Sequence, residues 1–83
     1  MKITLKYFAS IRETMGLGNE SLTTTAATLA ALRDELIAQG GAHAQALARG
    51  KNLRVAMNQV MADEATALQD GAEVAFFPPV TGG

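Results

Sequence analysis

The sequence predicts an α+β fold in which helices cover one face of a mixed β-sheet. Three observations carry this. The run from Lys2 to Phe8 alternates polar and apolar residues, the period of a half-buried strand. Leu29, Leu32 and Leu36 recur at helical spacing in mid-chain. An apolar run, Glu73 to Phe77, follows the turn signal Asp70-Gly71 near the end.

The elements follow in order. In the first strand Ile3, Leu5 and Tyr7 share one face, and Lys2, Thr4 and Lys6 the other. Ser10 to Met15 predicts one helical turn, with Ser10 as N-cap and Gly16 as the stop. Gly18-Asn19 marks a turn, and Glu20 to Thr24 is a β-prone run placed to pair antiparallel with the first strand. The long helix is predicted over Ala26 to Gln39, with Thr25 as N-cap and Gly40-Gly41 ending it. Its stripe is widened by Ile37, while Arg33, Asp34 and Glu35 are expected on the wet side. Ala42 to Arg49 reads as a short helix that presents His43 to solvent and stops at Gly50. Arg54 to Met57 is a strand with Val55 and Met57 inward, Asn58-Gln59 a turn, and Val60-Met61 a short return. In the last strand Val74 and Phe76 face the helix, so Phe77 faces outward.

Composition excludes several functions. The 83 residues fit one domain, whose core suffices without disulfides or metal. A net charge of −1 and a pI near 5.7 leave no basic patch for neutralising phosphates, so nucleic acid is not an expected partner. No apolar run approaches the roughly 20 residues of a membrane span, and the alternating N-terminus is unlike a signal peptide. A cytoplasmic chain is expected. Cysteine is absent, which removes disulfides, thiolate metal sites and a cysteine nucleophile. His43 is the only histidine, so no His–His metal pair exists within the chain. No GxxxxGK[ST] loop is present to cradle a nucleotide. Neither a bound cofactor nor a metal is expected.

The end of the chain, FFPPVTGG, is where chemistry concentrates. Pro78 and Pro79 stiffen the backbone and hold it extended. Val80, Thr81, Gly82 and Gly83 complete a projecting arm, and the five residues from Pro79 reach about 17 Å when extended. A tip without side chains enters a channel too narrow for other residues. Its functional group is the α-carboxylate of Gly83, ionised at neutral pH. A carboxylate is a poor electrophile and must be activated before sulfur or an amine can displace an oxygen.

The stretch DGAEVAFFPPVTGG, with FASIRETMG near the start and VAMNQ in the middle, resembles the small-subunit family of molybdopterin synthase. Those proteins are ubiquitin-like sulfur carriers of the β-grasp fold. The element order alone admits several folds. The resemblance implies β-grasp, with one long helix packed on one face and the last strand beside the first. It implies one carrier domain over residues 1–83, ending in a tail at 78–83. It further implies that a separate ATP-dependent activating enzyme adenylates Gly83, and that a sulfur donor then converts it to a thiocarboxylate. The tail residues Pro78, Pro79, Val80, Thr81 and Gly82 would insert into the large subunit. There the sulfur would pass to a cyclic pyranopterin precursor and build the dithiolene of molybdopterin. The family assembly is a heterotetramer, with small subunits at the ends of a large-subunit dimer. The chain itself would be a non-catalytic carrier.

Phe77, beside the tail, is the expected partner anchor, and Met61 is expected to extend the same patch. Arg12 is read as a local structural residue, and Arg49, Lys51 and Arg54 as a solvated basic group. Three other functions fit the tail: a sulfur carrier for thiamine synthesis, a ubiquitin-like modifier joined to lysines through Gly83, and an interaction module with an inert end. The first two begin with the same carboxylate activation.

Overall fold

Alternation in the first residues becomes β1 (Lys2–Tyr7), which buries Ile3, Leu5 and Tyr7 and leaves Lys2 and Thr4 exposed. The structure, a computed structural model, describes residues 1–79. The helix α1 (Ala9–Met15) follows, then β2 (Asn19–Thr23), α2 (Leu29–Ala38) and α3 (Gly41–Leu47). The chain continues through β3 (Arg54–Met57), β4 (Val60–Ala62) and β5 (Glu73–Phe77). The strands form one sheet in the order β2-β1-β5-β3-β4. Only β1 and β5 run parallel among these neighbours; the other pairs are antiparallel. The last strand therefore lies beside the first at the centre of a mixed sheet, as the β-grasp arrangement requires. The long helix α2 shares the covering layer with the two shorter helices, α1 and α3. Ile11 and Met15 of α1, the three leucines of α2 and Leu47 of α3 join Ile3, Leu5, Tyr7, Val55, Val74 and Phe76 in one core cluster.

The hairpin β3–β4 turns on Asn58 and Gln59, both at positive φ (52° and 68°), the conformation of a two-residue turn matched to strand twist. Asn58 also exchanges bonds with Glu73, its N–H donating to the Glu73 carbonyl at 2.8 Å and its Oδ1 accepting the Glu73 N–H at 3.0 Å. The turn thus anchors the start of β5.

Five local expectations are corrected. The cap of α1 is not Ser10: the helix begins at Ala9, Phe8 stands at the N-cap in extended conformation, and its side chain makes no capping bond. Gly16 does stop the helix, in the left-handed conformation, with its N–H on the Arg12 carbonyl. The N-cap of α2 is Thr28 rather than Thr25, its Oγ1 accepting the Ala31 N–H at 3.1 Å. Residues 25–28 are held outside the helix by tertiary bonds. Leu68 donates to the Ala27 carbonyl, and the first two helical N–H groups, of Leu29 and Ala30, donate to the Thr66 and Glu64 carbonyls at 3.0 and 2.8 Å. Those donors have no partner inside a helix, so the 64–68 segment completes the cap.

Arg33 is buried, not wet: it is 3% exposed. It lies four residues beyond Leu29, one turn on, and so within the stripe that faces inward. Its Nε donates to the Leu47 carbonyl at 2.8 Å, and Nη2 to the carbonyls of Ala48 (2.7 Å) and Lys51 (3.1 Å). Nη1 meets Glu64 at 2.9 Å. The guanidinium therefore caps the C-terminal end of α3, which explains why that helix stops at Leu47 and not at Arg49. His43 is half-buried rather than exposed, with Nε2 2.9 Å from Glu20 Oε2. The same oxygen accepts the Tyr7 hydroxyl at 2.9 Å, so α3, β2 and β1 share one polar clasp.

Two outcomes follow from these bonds. Arg33→Ala removes the four bonds of a buried guanidinium at once, and is expected to cost about 3 kcal/mol of stability, read by urea denaturation. Tyr7 is held well above the ordinary phenol range, first by burial and then by its bond to Glu20. The folded state thus keeps a proton that the unfolded state releases above a pH of about 10. Stability from this residue is complete below that pH and lost as pH rises past it. Tyr7→Phe is expected to flatten the alkaline fall in melting temperature between pH about 9 and 11.

Candidate functional site

Because Tyr7 pairs with Phe76 in the parallel β1–β5 ladder, the next residue on each strand reaches the opposite face side by side. Phe8 and Phe77 meet there edge to face, their centroids 6.4 Å apart and their planes at 84°. Phe76, one residue back, is 1% exposed in the core. Phe77 is half-buried, while Phe8 remains 48% exposed. The chain leaves Phe8 sharply, since Ala9 has φ 51°. An L-residue other than glycine or asparagine adopts this conformation at a cost of roughly 1–2 kcal/mol. The bend ends β1 and turns α1 back toward the helix layer.

The face carrying the aromatic pair continues as two rows. Arg54 is registered opposite Phe77. In the adjacent row Lys6, Ala75, Ala56 and Met61 stand side by side across four strands. Ala75 and Ala56 lie outside the core cluster yet are only 8% and 7% exposed. Their methyl groups sit low between taller neighbours, and Met61, 55% exposed, forms one wall. An apolar patch on a surface is a candidate interaction site.

Pro78 and Pro79 leave the end of β5, the middle of the sheet, and are half-buried. On the side away from the aromatic pair they wall a cavity of about 240 Å³ floored by Ile11, Ala46 and Leu53. The root of the tail is thus gripped between an aromatic patch and a cavity.

Phe77 and Met61, expected to share a patch, do stand on one face. Pro78 and Pro79 stand at its edge. Val80, Thr81, Gly82 and Gly83 lie outside the described residues. Phe8 is the residue the sequence reading missed. The signal was present: the parity that places Tyr7 inward places Phe8 on the face of Lys2, Thr4 and Lys6. Among the described residues no cluster of three or more His, Asp or Glu side chains could hold a metal ion. No helix among them is long and apolar enough to cross a membrane.

Residues 5–83 match the ThiS family. The chain belongs to this family. It is 42% identical over 81 residues, 98% of this chain and 99% of the relative, to the molybdopterin synthase sulfur carrier subunit of Haemophilus influenzae. The fold is similar to that of SAMP1 from Haloferax volcanii, with a TM-score of 0.77, 29% identity and full coverage of both chains. It is also similar to a chain in the complex of subunits 1 and 2 of molybdopterin-converting factor from Helicobacter pylori 26695, with a TM-score of 0.68, 27% identity and full coverage of both.

In this ThiS-family chain the two adjacent phenylalanines of β5 have separate duties, and truncation should separate them. Phe76→Ala is expected to cost about 3–5 kcal/mol by opening the core. Phe77→Ala loses one edge-to-face contact and is expected to cost about 1 kcal/mol. Urea denaturation of both variants measures the difference, and equal losses would contradict the face assignment.

Proposed function

We propose that this chain is the sulfur-carrier subunit of a molybdopterin synthase. The observation that carries the reading is the end FFPPVTGG, whose last two residues lack side chains and whose first two belong to the central strand of the sheet, in a chain 42% identical to a carrier of that name over nearly its whole length.

The chemistry runs through the terminal carboxyl group. A partner enzyme brings ATP; the Gly83 carboxylate attacks its α-phosphorus, and pyrophosphate leaves. A donor that supplies sulfur at the sulfide level then attacks the acyl carbon, AMP leaves, and a thiocarboxylate remains. Its sulfur bonds to a carbon of the cyclic pyranopterin precursor within the large subunit, and the carbon–oxygen bond there breaks, its oxygen leaving as part of phosphate or water. Water cleaves the resulting thioester, so sulfur stays on the pterin and the carboxylate returns to Gly83. Two cycles supply a dithiolene. The carrier contributes position rather than acid–base groups. The central strand and two prolines fix where the arm points, and glycines at 82 and 83 let it pass a narrow channel. Phe8, Phe77 and Met61 form the docking patch for the large subunit. A heterotetramer with one carrier at each end of a large-subunit dimer, working in the cytoplasm with no cofactor bound to the carrier, fits this scheme.

Similarity to SAMP1, a small archaeal modifier protein, favours a second reading, a modifier conjugated through Gly83. Intact-mass analysis of the chain recovered from its own cells separates the two. A sulfur-for-oxygen exchange at the C-terminus marks a carrier, and a ladder of conjugates marks a modifier.

Adding one residue after Gly83 is expected to abolish sulfur transfer and leave the melting temperature unchanged. The extension turns the reactive carboxyl into an amide and moves the new terminus about 3.5 Å, beyond what a positioned reaction tolerates. Deleting Gly83 is expected to fail for the converse reason, and Gly82→Val to fail sterically. The assay is pterin conversion with pre-activated carrier and excess large subunit. An extended variant, intact by mass, that transfers sulfur at the native rate would sink the reading.

A further inference from the structure

Of the seven Lys and Arg residues, two make ion pairs among the described residues: Arg33, buried, and Arg49, on the surface; Lys2, Lys6, Arg12, Lys51 and Arg54 make none. Arg33 holds Glu64 and three carbonyls. Arg49 bonds Asp34, Glu64 and the Ala30 carbonyl. Lys51 and Arg54, close by in sequence, have no ion-pair partner among the described residues.

These two cations stand on opposite sides of the tail root. Arg54 is exposed and registered beside Phe77 on the open face of the sheet. Lys51 lines the cavity walled by Pro78 and Pro79 on the helix side, where no described lining residue is acidic, and also borders a depression in which Glu64 is held by Arg33 and Arg49. Asp63 shares a shallow depression with Arg54, but its Oδ1 is taken by the Ala65 N–H at 2.9 Å and lies 3.4 Å from the Thr66 hydroxyl. Lys51 is held in place through its backbone. Its N–H donates to the Ala48 carbonyl at 2.9 Å, and its carbonyl accepts from Arg33 Nη2 and from the Leu53 N–H, both at 3.1 Å. The buried guanidinium of Arg33 therefore fixes where the ammonium stem of Lys51 begins. A chain of net charge −1 thus presents a cationic collar where its tail departs.

We infer that Lys51 and Arg54 form an electrostatic collar that recognises carboxylates on the rim of the large-subunit cleft that admits the tail. The inference rests on the carrier reading and names the chemistry of the partner at that site. An apolar patch alone fixes contact but not rotation about the tail. Two like charges flanking the tail, met by acids on both sides of a cleft, set that rotation and draw the partners together before contact. Exposed charges of this kind act mainly on association rate and register, and salt screens them over about 8 Å at physiological ionic strength. The collar also offsets the repulsion that an acidic rim would exert on the anionic tip as it passes.

The test measures association and dissociation rates of the full chain with the large synthase subunit of the same organism, at about 50 and 300 mM salt. The wild-type association rate is expected to fall several-fold with salt. The double reversal K51E/R54E is expected to associate about tenfold more slowly at low salt and to lose most of that salt dependence, with an unchanged melting temperature. The charge-preserving K51R/R54K keeps both. Phe77→Ala serves as contrast, raising the dissociation rate at either salt concentration. An association rate and salt dependence in K51E/R54E equal to wild type would overturn the collar. Faster association by K51E/R54E would overturn it too, and would show that the cations hold the chain's own terminal carboxylate instead. Wild-type binding that ignores salt removes the collar alone, whereas absence of any wild-type binding removes the carrier reading and the collar with it.

Discussion

The parallel pairing of β1 with β5 is the constraint on which the rest depends. It brings the last strand to the centre of the sheet, between β1 and β3, so that both of its backbone edges are bonded. A parallel pair cannot be closed by a hairpin and needs a long crossover. Here everything from α1 to β4 serves as that crossover. Its helices fill one face and leave the other open. The register matters as much as the order. A slip of one residue would exchange Val74 and Phe76 for Ala75 and Phe77 in the core and place two aromatic rings on the wrong side. The tail starts from the best-supported strand, so its root has a fixed direction.

Polar groups do a second kind of work, tying segments that lack regular structure. Arg33 bonds three carbonyls between Leu47 and Lys51, and residues 64–66 receive the first N–H groups of α2. The Tyr7–Glu20–His43 clasp joins the edge of the sheet to α3. Among the described residues no buried side-chain nitrogen or oxygen lacks a partner. In a protein this small the apolar core has little to spare, and an unmatched buried charge would cost several kcal/mol. The loop that presents Lys51 is thus tied to α2 and to the end of α3 through its backbone.

The open face is the functional counterpart of the packed one. Alanines at 56 and 75 keep its centre low, Phe8, Phe77 and Met61 rise around it, and Lys6 and Arg54 border it. Exposed apolar surface of this kind lowers solubility unless a partner covers it. Its position beside the tail gives this costly patch a use under the carrier reading: the surface proposed to dock and the end proposed to react are joined by two prolines. Rigidity and reach are divided between the sheet and the arm.

Much of this was legible in the residues. Period-2 alternation in Lys2–Tyr7, the leucine stripe of α2 and the apolar run of β5 each reported local geometry, because strand and helix repeat at periods that sequence displays directly. The parity of Phe76 and Phe77 followed from the same rule, and that rule applied to Phe8 would have found the other half of the aromatic pair. The tail announced itself by composition. Tertiary structure decided what local period cannot hold. Thr28 caps α2 in place of Thr25 because carbonyls far along the chain, at Glu64 and Thr66, fix where the helix begins. Arg33 and His43 are drawn inward because their partners, the end of α3 and Glu20, come from other elements. Lys51 and Arg54 part to opposite sides of the tail although three positions separate them. A charged side chain goes where its counter-charge or carbonyl is, and that location exists only once the chain has folded.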